Sequence, residues 1–335
     1  MRGVKKPTMR DIGKAAGVSA VTVSKALAGK TGMSDKVRRK ILKIAENMGY
    51  EYPGAERLRQ RSELDIGILI AAQYFETDSF YSDMYRKLVK SLSANSHFGL
   101  LEIVNPEAEE KLEMPNLVCS RHVDGLILLG QTSKEYYRFI AGSGIPVVFL
   151  DFYDEQASAD SVVGDNTYGG YRLTSHLIKN GHTRIGFVGN SQATSSIMDR
   201  YLGYYRALLM HRLELRQEWI IPDRDDKGVF VPLKLPKELP TAFVCNCDLV
   251  AGEMIRLLKR EGYRVPEDVS VIGFDDYGRD PRETPALSTF RVDTESMIDL
   301  AVKAISERCA GSKKPFGRTV VSGQPVYRQS DIILE

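Results

Sequence analysis

Thr8-Met-Arg-Asp-Ile-Gly-Lys-Ala-Ala-Gly17-Val-Ser-Ala20-Val-Thr-Val-Ser-Lys-Ala-Leu27 holds two short amphipathic helices with a glycine between them. Thr8 can cap the first, and Asp11, three residues on, can reach back to it. Ile12, Ala15 and Ala16 form an apolar stripe, and Gly17 ends the helix. Ser19 can cap the second helix, where Val23, Ala26 and Leu27 share a face. Ser34 opens a third in which Val37, Ile41, Ile44, Ala45 and Met48 recur at helical spacing, with Lys36, Arg38, Arg39, Lys40 and Lys43 on the other faces.

Two helices joined by a tight glycine turn predict a helix-turn-helix whose second helix can enter the DNA major groove. Its exposed positions are then the readers. Thr22, Ser24 and Lys25 can hydrogen-bond bases or phosphates, and Ala20 and Val21 can touch thymine methyls. Thr8, Met9 and Ser19, at the helix starts, complete the expected DNA-contacting set. The competing reading is a small helical bundle with a solvated basic face.

The charge distribution favours a polyanion at this end. The chain has 335 residues, 46 Lys plus Arg against 44 Asp plus Glu, and 43% apolar residues. Residues 1–61 carry a formal +10 and the remainder −8. That balance excludes a disordered or collagen-like chain. The longest apolar runs, Gly125–Leu129 and Pro146–Leu150, are strand-sized and no stretch suits a bilayer. Met1–Lys6 is not followed by an apolar segment of the secretory kind, so the expected location is the cytoplasm. Cys119, Cys245, Cys247 and Cys309 suit neither a disulfide framework nor a zinc site and read as reduced thiols. No metal or cofactor is expected.

Beyond residue 50, Pro53, Gly54, Arg57, Arg59 and Arg61 mark a connector. The expected domains are a headpiece over 1–50, a hinge over 51–63 and a core over 64–335. In the core, strands predicted at Asp65–Ala71, Leu100–Val104, Gly125–Leu129 and Pro146–Leu150 are separated by helical segments. The rhythm restarts at Ser161–Val163, Arg184–Gly189, Ala242–Cys245 and Val269–Phe274, with helices at Tyr168–Lys179, near Met198–Arg212 and at Leu249–Glu261. Val- and Ile-rich strands separated by helices predict two parallel-sheet α/β subdomains, with a ligand cleft beyond the carboxyl ends of their strands. An enzyme on this core should show a phosphate-binding glycine loop or a nucleophile elbow, and neither is present, so no catalytic residue is assigned. His97, His122, His176, His182 and His211 lack metal-ligand spacing. His176 and His182 flank a helix end, where a cation suits the dipole.

The run from Thr8 to Gly29, with Ser34 and Met48-Gly-Tyr50, resembles the headpiece of LacI/GalR-family transcriptional regulators. The resemblance continues through Val163-Gly-Asp165-Asn166, Gly181-His182-Thr-Arg-Ile185-Gly-Phe-Val-Gly189, Asp199-Arg200, Gly203, Cys245-Asn-Cys-Asp248 and Val265-Pro-Glu-Asp-Val-Ser-Val-Ile-Gly-Phe-Asp275-Asp276. It implies a type I periplasmic-binding-protein-like core, assembled as a homodimer or tetramer, and a repressor of a near-palindromic double-stranded operator. It implies a small effector, a sugar or sugar derivative. Ala20, Val21 and Lys25 would select the operator, and Lys25 stands where Arg is usual, a point charge in place of a planar fork. Leu58 would be a minor-groove wedge, although Pro53-Gly-Ala-Glu-Arg-Leu58 is two residues shorter than the usual hinge pattern. The alternative for the connector is a flexible charged tether.

For the effector site the resemblance implies Phe80, Tyr81, Arg200, Asp248 and Asp275. Arg200 would donate to ligand hydroxyls and Asp275 accept from them. A Cys occupies a position where an Asn is usual, and Asn246 is the nearest replacement amide. The plainer readings are an Arg200–Asp275 structural ion pair and core packing for Phe80 and Tyr81. A small-molecule-binding protein, or an enzyme without DNA regulation, is the competing function.

Overall fold

The computed structural model describes residues 7–27, 34–48, 50, 63–75, 79–120, 122–226, 228–277 and 285–334. The chain divides into two compact units, residues 1–62 and 63–335.

In the first unit, α1 (Met9–Ala16), α2 (Ala20–Leu27) and α3 (Asp35–Asn47) pack pairwise around Ile12, Ala16, Val23, Ala26, Ile41 and Ala45. The predicted stripe on α1 is rotated. Ala15 is exposed, and Gly13 takes the buried place beside Ile12 and Ala16. The reason is the turn: a Cβ on Gly13 would lie 2.7 Å from the Val18 carbonyl oxygen, so this face of α1 has to be bare backbone for the chain to fold back. Gly17 supplies the left-handed residue that ends the helix (φ 76°).

The second unit holds two parallel sheets. The larger has six strands. They are β1 (Asp65–Ala71), β2 (Phe98–Val104), β3 (Gly125–Leu129), β4 (Val147–Leu150), β5 (Asp160–Gly164) and β11 (Arg318–Val321), in the order β11-β5-β4-β3-β1-β2. The smaller has β6 (Ile185–Val188), β7 (Ile220–Ile221), β8 (Ala242–Cys245) and β9 (Ser270–Ile272), in the order β7-β6-β8-β9. The connecting helices are α4 (Phe80–Ala94), α5 (Pro106–Lys111), α6 (Asn116–Cys119), α7 (Lys134–Ala141), α8 (Asn166–Lys179), α9 (Ser195–Met210), α10 (Asp248–Arg260) and α11 (Thr294–Cys309). β10 (Thr289–Arg291) pairs antiparallel with β12 (Gln324–Val326).

The strand at residues 160–164 belongs to the first sheet and not, as the sequence rhythm suggests, to the second. It lies between β4 and β11, bonded to both. The partner that holds it there comes from the far end of the chain. After β10 the backbone returns to the first subdomain, where Met297, Ile298, Ala301, Val302 and Ile305 of α11 are buried, and the helix packs on β3, β4, β5 and α4. β11 then completes the sheet. The chain therefore crosses between the subdomains three times, after β5, after β10 and after β11.

The C-terminal segment is fastened by two histidines. His176 Nε2 is 2.8 Å from Asp331 Oδ2, and its ring stacks on Tyr327. His182 is buried between Thr241 Oγ1 at 3.0 Å and the Ile332 carbonyl at 3.2 Å. Burial lowers its pKa, so His182 is a neutral ring and not the dipole-facing cation expected from its position.

Candidate functional site

The helix-turn-helix is fixed at both caps. Thr8 Oγ1 accepts from the Asp11 amide, and the Asp11 carboxylate accepts from the Thr8 amide at 2.9 Å, closing a capping box. Ser19 Oγ accepts from the Thr22 amide at 3.1 Å and shares a hydrogen with Thr22 Oγ1 at 2.8 Å. Lys40 Nζ donates to the Ala16 carbonyl at 3.2 Å, so α3 closes the C-terminal end of α1.

The caps leave one side of α2 open. Val21 is 65% exposed, an apolar residue that the headpiece core does not need, whereas Val23, two residues on, is fully buried. Ala20, Thr22 and Ser24 are half-buried beside it, and Thr8 and Ser19 are exposed. Met9 divides its role, since it is half-buried and packs against the headpiece core. Lys25 lies on α2 but its side chain is outside the described residues, as are Leu58 and residues 51–62 of the expected hinge. Arg10 and Lys14, which the sequence reading did not single out, border a shallow hollow with Ser19 and Ala20.

The second site is a cavity of about 570 Å³ between the two sheets, in the place that an open α/β sheet reserves for ligands. Its walls come from strand ends and helix starts: Asp151 after β4, Phe80 and Tyr81 on α4, Ser196 and Arg200 on α9, Asn246 after β8, Asp248 on α10 and Asp275 after β9. The structure thus brings all five sequence-predicted effector residues to one cavity.

Arg200 is placed by packing as well as by hydrogen bonds. A Cβ on Gly170 of α8 would run into the Arg200 carbonyl, and one on Gly203 of α9 into the Thr167 carbonyl, so the two helices cross with backbone against backbone. Arg200 then points into the cavity. Its Nε donates to Asn166 Oδ1 at 2.8 Å and its Nη1 to the Asn246 carbonyl at 2.6 Å, with the guanidinium over the Phe274 ring at 4.0 Å. Nη2 lies 3.2 Å from Asp275 Oδ1, an oxygen that is buried and meets no hydrogen-bond donor in good geometry.

Asp275 sits in left-handed backbone (φ 106°), which turns its carboxylate back over the cavity. Burial pushes its pKa up to about 7; Arg200 opposes that shift and the Asp151 carboxylate adds to it. Asp151, also left-handed (φ 71°), accepts from the Tyr81 hydroxyl at 2.8 Å, and burial raises its pKa. Asp248 has its oxygens turned toward the chain, accepting from the Tyr277 amide at 2.9 Å and from Thr289 Oγ1. It shapes the Asp275–Tyr277 turn. Asn246 is equally committed: its Nδ2 donates to the Val188 carbonyl and to Asp223 Oδ2, both at 3.0 Å.

Phe80 and Tyr81 are not plain core. Phe80 meets Tyr277 edge-on at 5.9 Å and Tyr81 at 5.4 Å, and both rings line the cavity. Asp151, Arg224, Phe230 and Tyr277 are wall residues that sequence reasoning missed. Asp151 carried a usable signal, since it directly follows the predicted strand Pro146–Leu150 and hence occupies a ligand position by rule. Arg224 and Phe230 lie in a segment without periodicity; Arg224 is bound by Asp223 at 2.7 Å and lies over the Phe230 ring at 4.4 Å.

Comparison with known proteins agrees with both halves. Residues 8–52 match the family described as bacterial regulatory proteins, lacI family, and residues 174–330 match the periplasmic binding protein-like domain. The ribose operon repressor of Haemophilus influenzae is 26% identical over 96% of this chain and 98% of its own length. Among solved structures, a complex of the transcriptional regulator CelR with cellobiose superposes with a TM-score of 0.68 at 23% identity, covering 97% of this chain and 99% of that one. A lac repressor dimer bound to operator and the anti-inducer ONPF superposes with a TM-score of 0.66 at 21% identity, covering 98% and 100%. The chain thus carries a helix-turn-helix domain of the lacI family of bacterial regulatory proteins, joined to a periplasmic binding protein-like domain.

Proposed function

We propose that this protein is a sequence-specific DNA-binding repressor whose operator affinity is set by a small metabolite, a sugar or sugar derivative, held in the cleft. The observation that carries the reading is that one chain joins a capped helix-turn-helix with an open apolar reader, Val21, to a cavity lined by Arg200, Asp151 and Asp275. Relatives named as the ribose operon repressor and as a regulator in complex with cellobiose support the ligand class.

The working unit is a homodimer, each headpiece taking one half of a near-palindromic operator in the cytoplasm, as the lac repressor dimer bound to operator suggests. Ala20, Val21, Thr22, Ser24 and Lys25 read bases. Thr8, Ser19, Arg10 and Lys14 hold phosphates, and their contribution falls with salt. A ligand that bridges Arg200 and Asp275 in one subdomain to Tyr81 and Asp151 in the other favours one mutual arrangement of the two. Differential affinity for the two arrangements, about 1–3 kcal/mol in typical couplings, is what reaches the DNA. The cleft acts by binding, and no catalytic step is assigned to it.

The test is a gel shift with genomic promoter fragments against scrambled competitor, repeated across a sugar panel. A retarded fragment whose retardation changes with one sugar is expected. No preference for any fragment, with every sugar tried, overturns the reading.

A further inference from the structure

The charge around the cleft narrows the ligand. We infer that the effector is an uncharged polyhydroxylated molecule, and that the cleft rejects phosphorylated sugars and other anions; this rests on the reading of the cleft as an effector site. Three arginines, Arg200, Arg224 and Arg256, line the cavity, and each is already engaged by groups of the chain. Arg224 is neutralised by Asp223 at 2.7 Å, both groups being buried. Arg200 is shared among Asn166, the Asn246 carbonyl and Asp275. Against them stand Asp151, Asp248 and Asp275 in the same wall. With Arg224 paired to Asp223 and Arg256 to Glu253, the wall sets Arg200 and Lys259 against Asp151, Asp248 and Asp275, so an incoming phosphate meets a surplus of carboxylate in a partly enclosed site, where like charges are costly.

Helix N-termini are where this fold could still cradle a phosphate, and two of those at the cavity, the starts of α4 and α9, already hold side-chain oxygens of the chain. Ser79 Oγ takes the Ser82 amide of α4 at 3.1 Å. Thr194 Oγ1 takes the Ile197 amide of α9 at 3.2 Å, and Gln131 Oε1 takes the Ser195 amide at 2.9 Å. The start of α10 has no side-chain cap, and there the Asp248 carboxylate itself stands beside the cavity. The remaining cations of the wall, Arg256 and Lys259, lie farther along α10, and Arg256 is paired with Glu253 at 2.7 Å.

What the site does offer is acceptors. Asp275 Oδ1 is buried, faces Arg200 Nη2 at 3.2 Å outside good hydrogen-bond geometry and meets no other donor among the described residues, and that side chain is 10% exposed. A carboxylate in this state is satisfied by hydroxyl hydrogens, which a sugar supplies and a phosphate dianion does not. Phe80, Tyr81 and Tyr277 add ring faces and edges suited to the C–H side of such a molecule.

The experiment is a thermal-shift and calorimetric comparison of the full chain with matched pairs: ribose and ribose 5-phosphate, glucose and glucose 6-phosphate, cellobiose and cellobiose 6-phosphate, with inorganic phosphate alone as a further probe. The expected result is stabilisation by an uncharged member, at least about tenfold weaker binding of its phosphorylated partner, and no shift with inorganic phosphate. In the double variant Asp151→Asn with Asp275→Asn, the ratio between the partners should shrink even though both bind less tightly. A phosphorylated member that binds as well as its partner, and alters operator retardation, overturns this inference while the regulatory reading stands. A panel in which no member of either class binds overturns both.

Discussion

The Tyr153 hydroxyl, just beyond β4 of the first subdomain, donates at 3.0 Å to Asp199 Oδ1 on α9 of the second. It belongs to a short seam. Ser196 Oγ donates to the Asp151 carbonyl at 2.6 Å, the Tyr153 amide to Ser195 Oγ at 3.3 Å, and the Ser195 amide to Gln131 at 2.9 Å. One turn of α9 thus both carries Arg200 and ties the subdomains together. Arg318 of β11 lies over the Tyr153 ring at 4.1 Å and steadies it.

Tyr153→Phe removes the bond to a charged acceptor and leaves the ring stacked. Loss of about 1.5 kcal/mol of preference for this arrangement is expected, roughly a tenfold weaker ligand affinity if the bound form is the joined one. Titration calorimetry with the effector found in the panel measures it. An unchanged dissociation constant would show that the seam is indifferent to ligand.

The Asp275 carboxyl makes stability depend on pH with a definite sign. Its pKa of about 7 in the folded chain is above the ordinary carboxylate value because burial disfavours the charge, with Arg200 and Arg224 opposing and Asp151 assisting. The folded form binds the proton more tightly than the unfolded one, so the group costs nothing at low pH, and its cost grows as pH rises from about 4 to about 7, then levels. Asp275→Asn should therefore unfold at higher urea than the parent near pH 8, with the difference narrowing through pH 5 and closing below about pH 4. Hydroxyls that donate to the carboxylate favour the ionised form, so ligand binding near pH 7 should release a proton, visible as a buffer-dependent heat. A difference in urea midpoint that does not vary with pH would place the titration elsewhere.

Gly203 tests how the packing sets the site. A methyl there meets the Thr167 carbonyl, which cannot move without unwinding α8. Gly203→Ala should cost about 1–3 kcal/mol in urea unfolding and displace Arg200, weakening ligand binding by more than stability alone explains. Gly252→Ala is the control, since the nearest atoms around that helical glycine belong to the flexible Arg256 side chain, at 3.6 Å and beyond. Equal effects at the two positions would deny the helix crossing its role.

Much of this is legible in the sequence, and what is not has physical causes. Strands such as Gly125–Leu129 and Ala242–Cys245 are buried along their whole length and read as unbroken apolar runs. The effector residues Arg200 and Asp275 were found through family resemblance, and the structure brings them within 3.2 Å. The assignment of β5 failed because sequence order cannot show that its outer neighbour, β11, arrives from more than 150 residues downstream. α11 was not singled out although Met297, Ile298, Ala301, Val302 and Ile305 show a clear helical period. Arg224 and Phe230 escaped for a better reason: among the described residues their segment has an isolated bridge, at Arg224 and Phe230 themselves, and its sequence has no repeating pattern to read.

Val21 offers the sharpest test of the headpiece. Its side chain is open while Val23 is fully buried, so the two valines of α2 separate recognition from folding. Val21→Gln should leave the melting of the headpiece unchanged and cost about 1–3 kcal/mol at a thymine-bearing operator position, with altered base preference there and an unchanged salt slope. Val23→Ala should do the reverse, loosening the helix packing by about 1–3 kcal/mol and weakening all DNA sequences alike. Lys25→Ala should relax sequence choice and, where its charge meets a phosphate, also reduce the salt slope by about 1. Selection of bound sequences from a random pool, with each variant at two salt concentrations, reads these outcomes together; the same consensus from Val21→Gln as from the parent would remove Val21 from the readers.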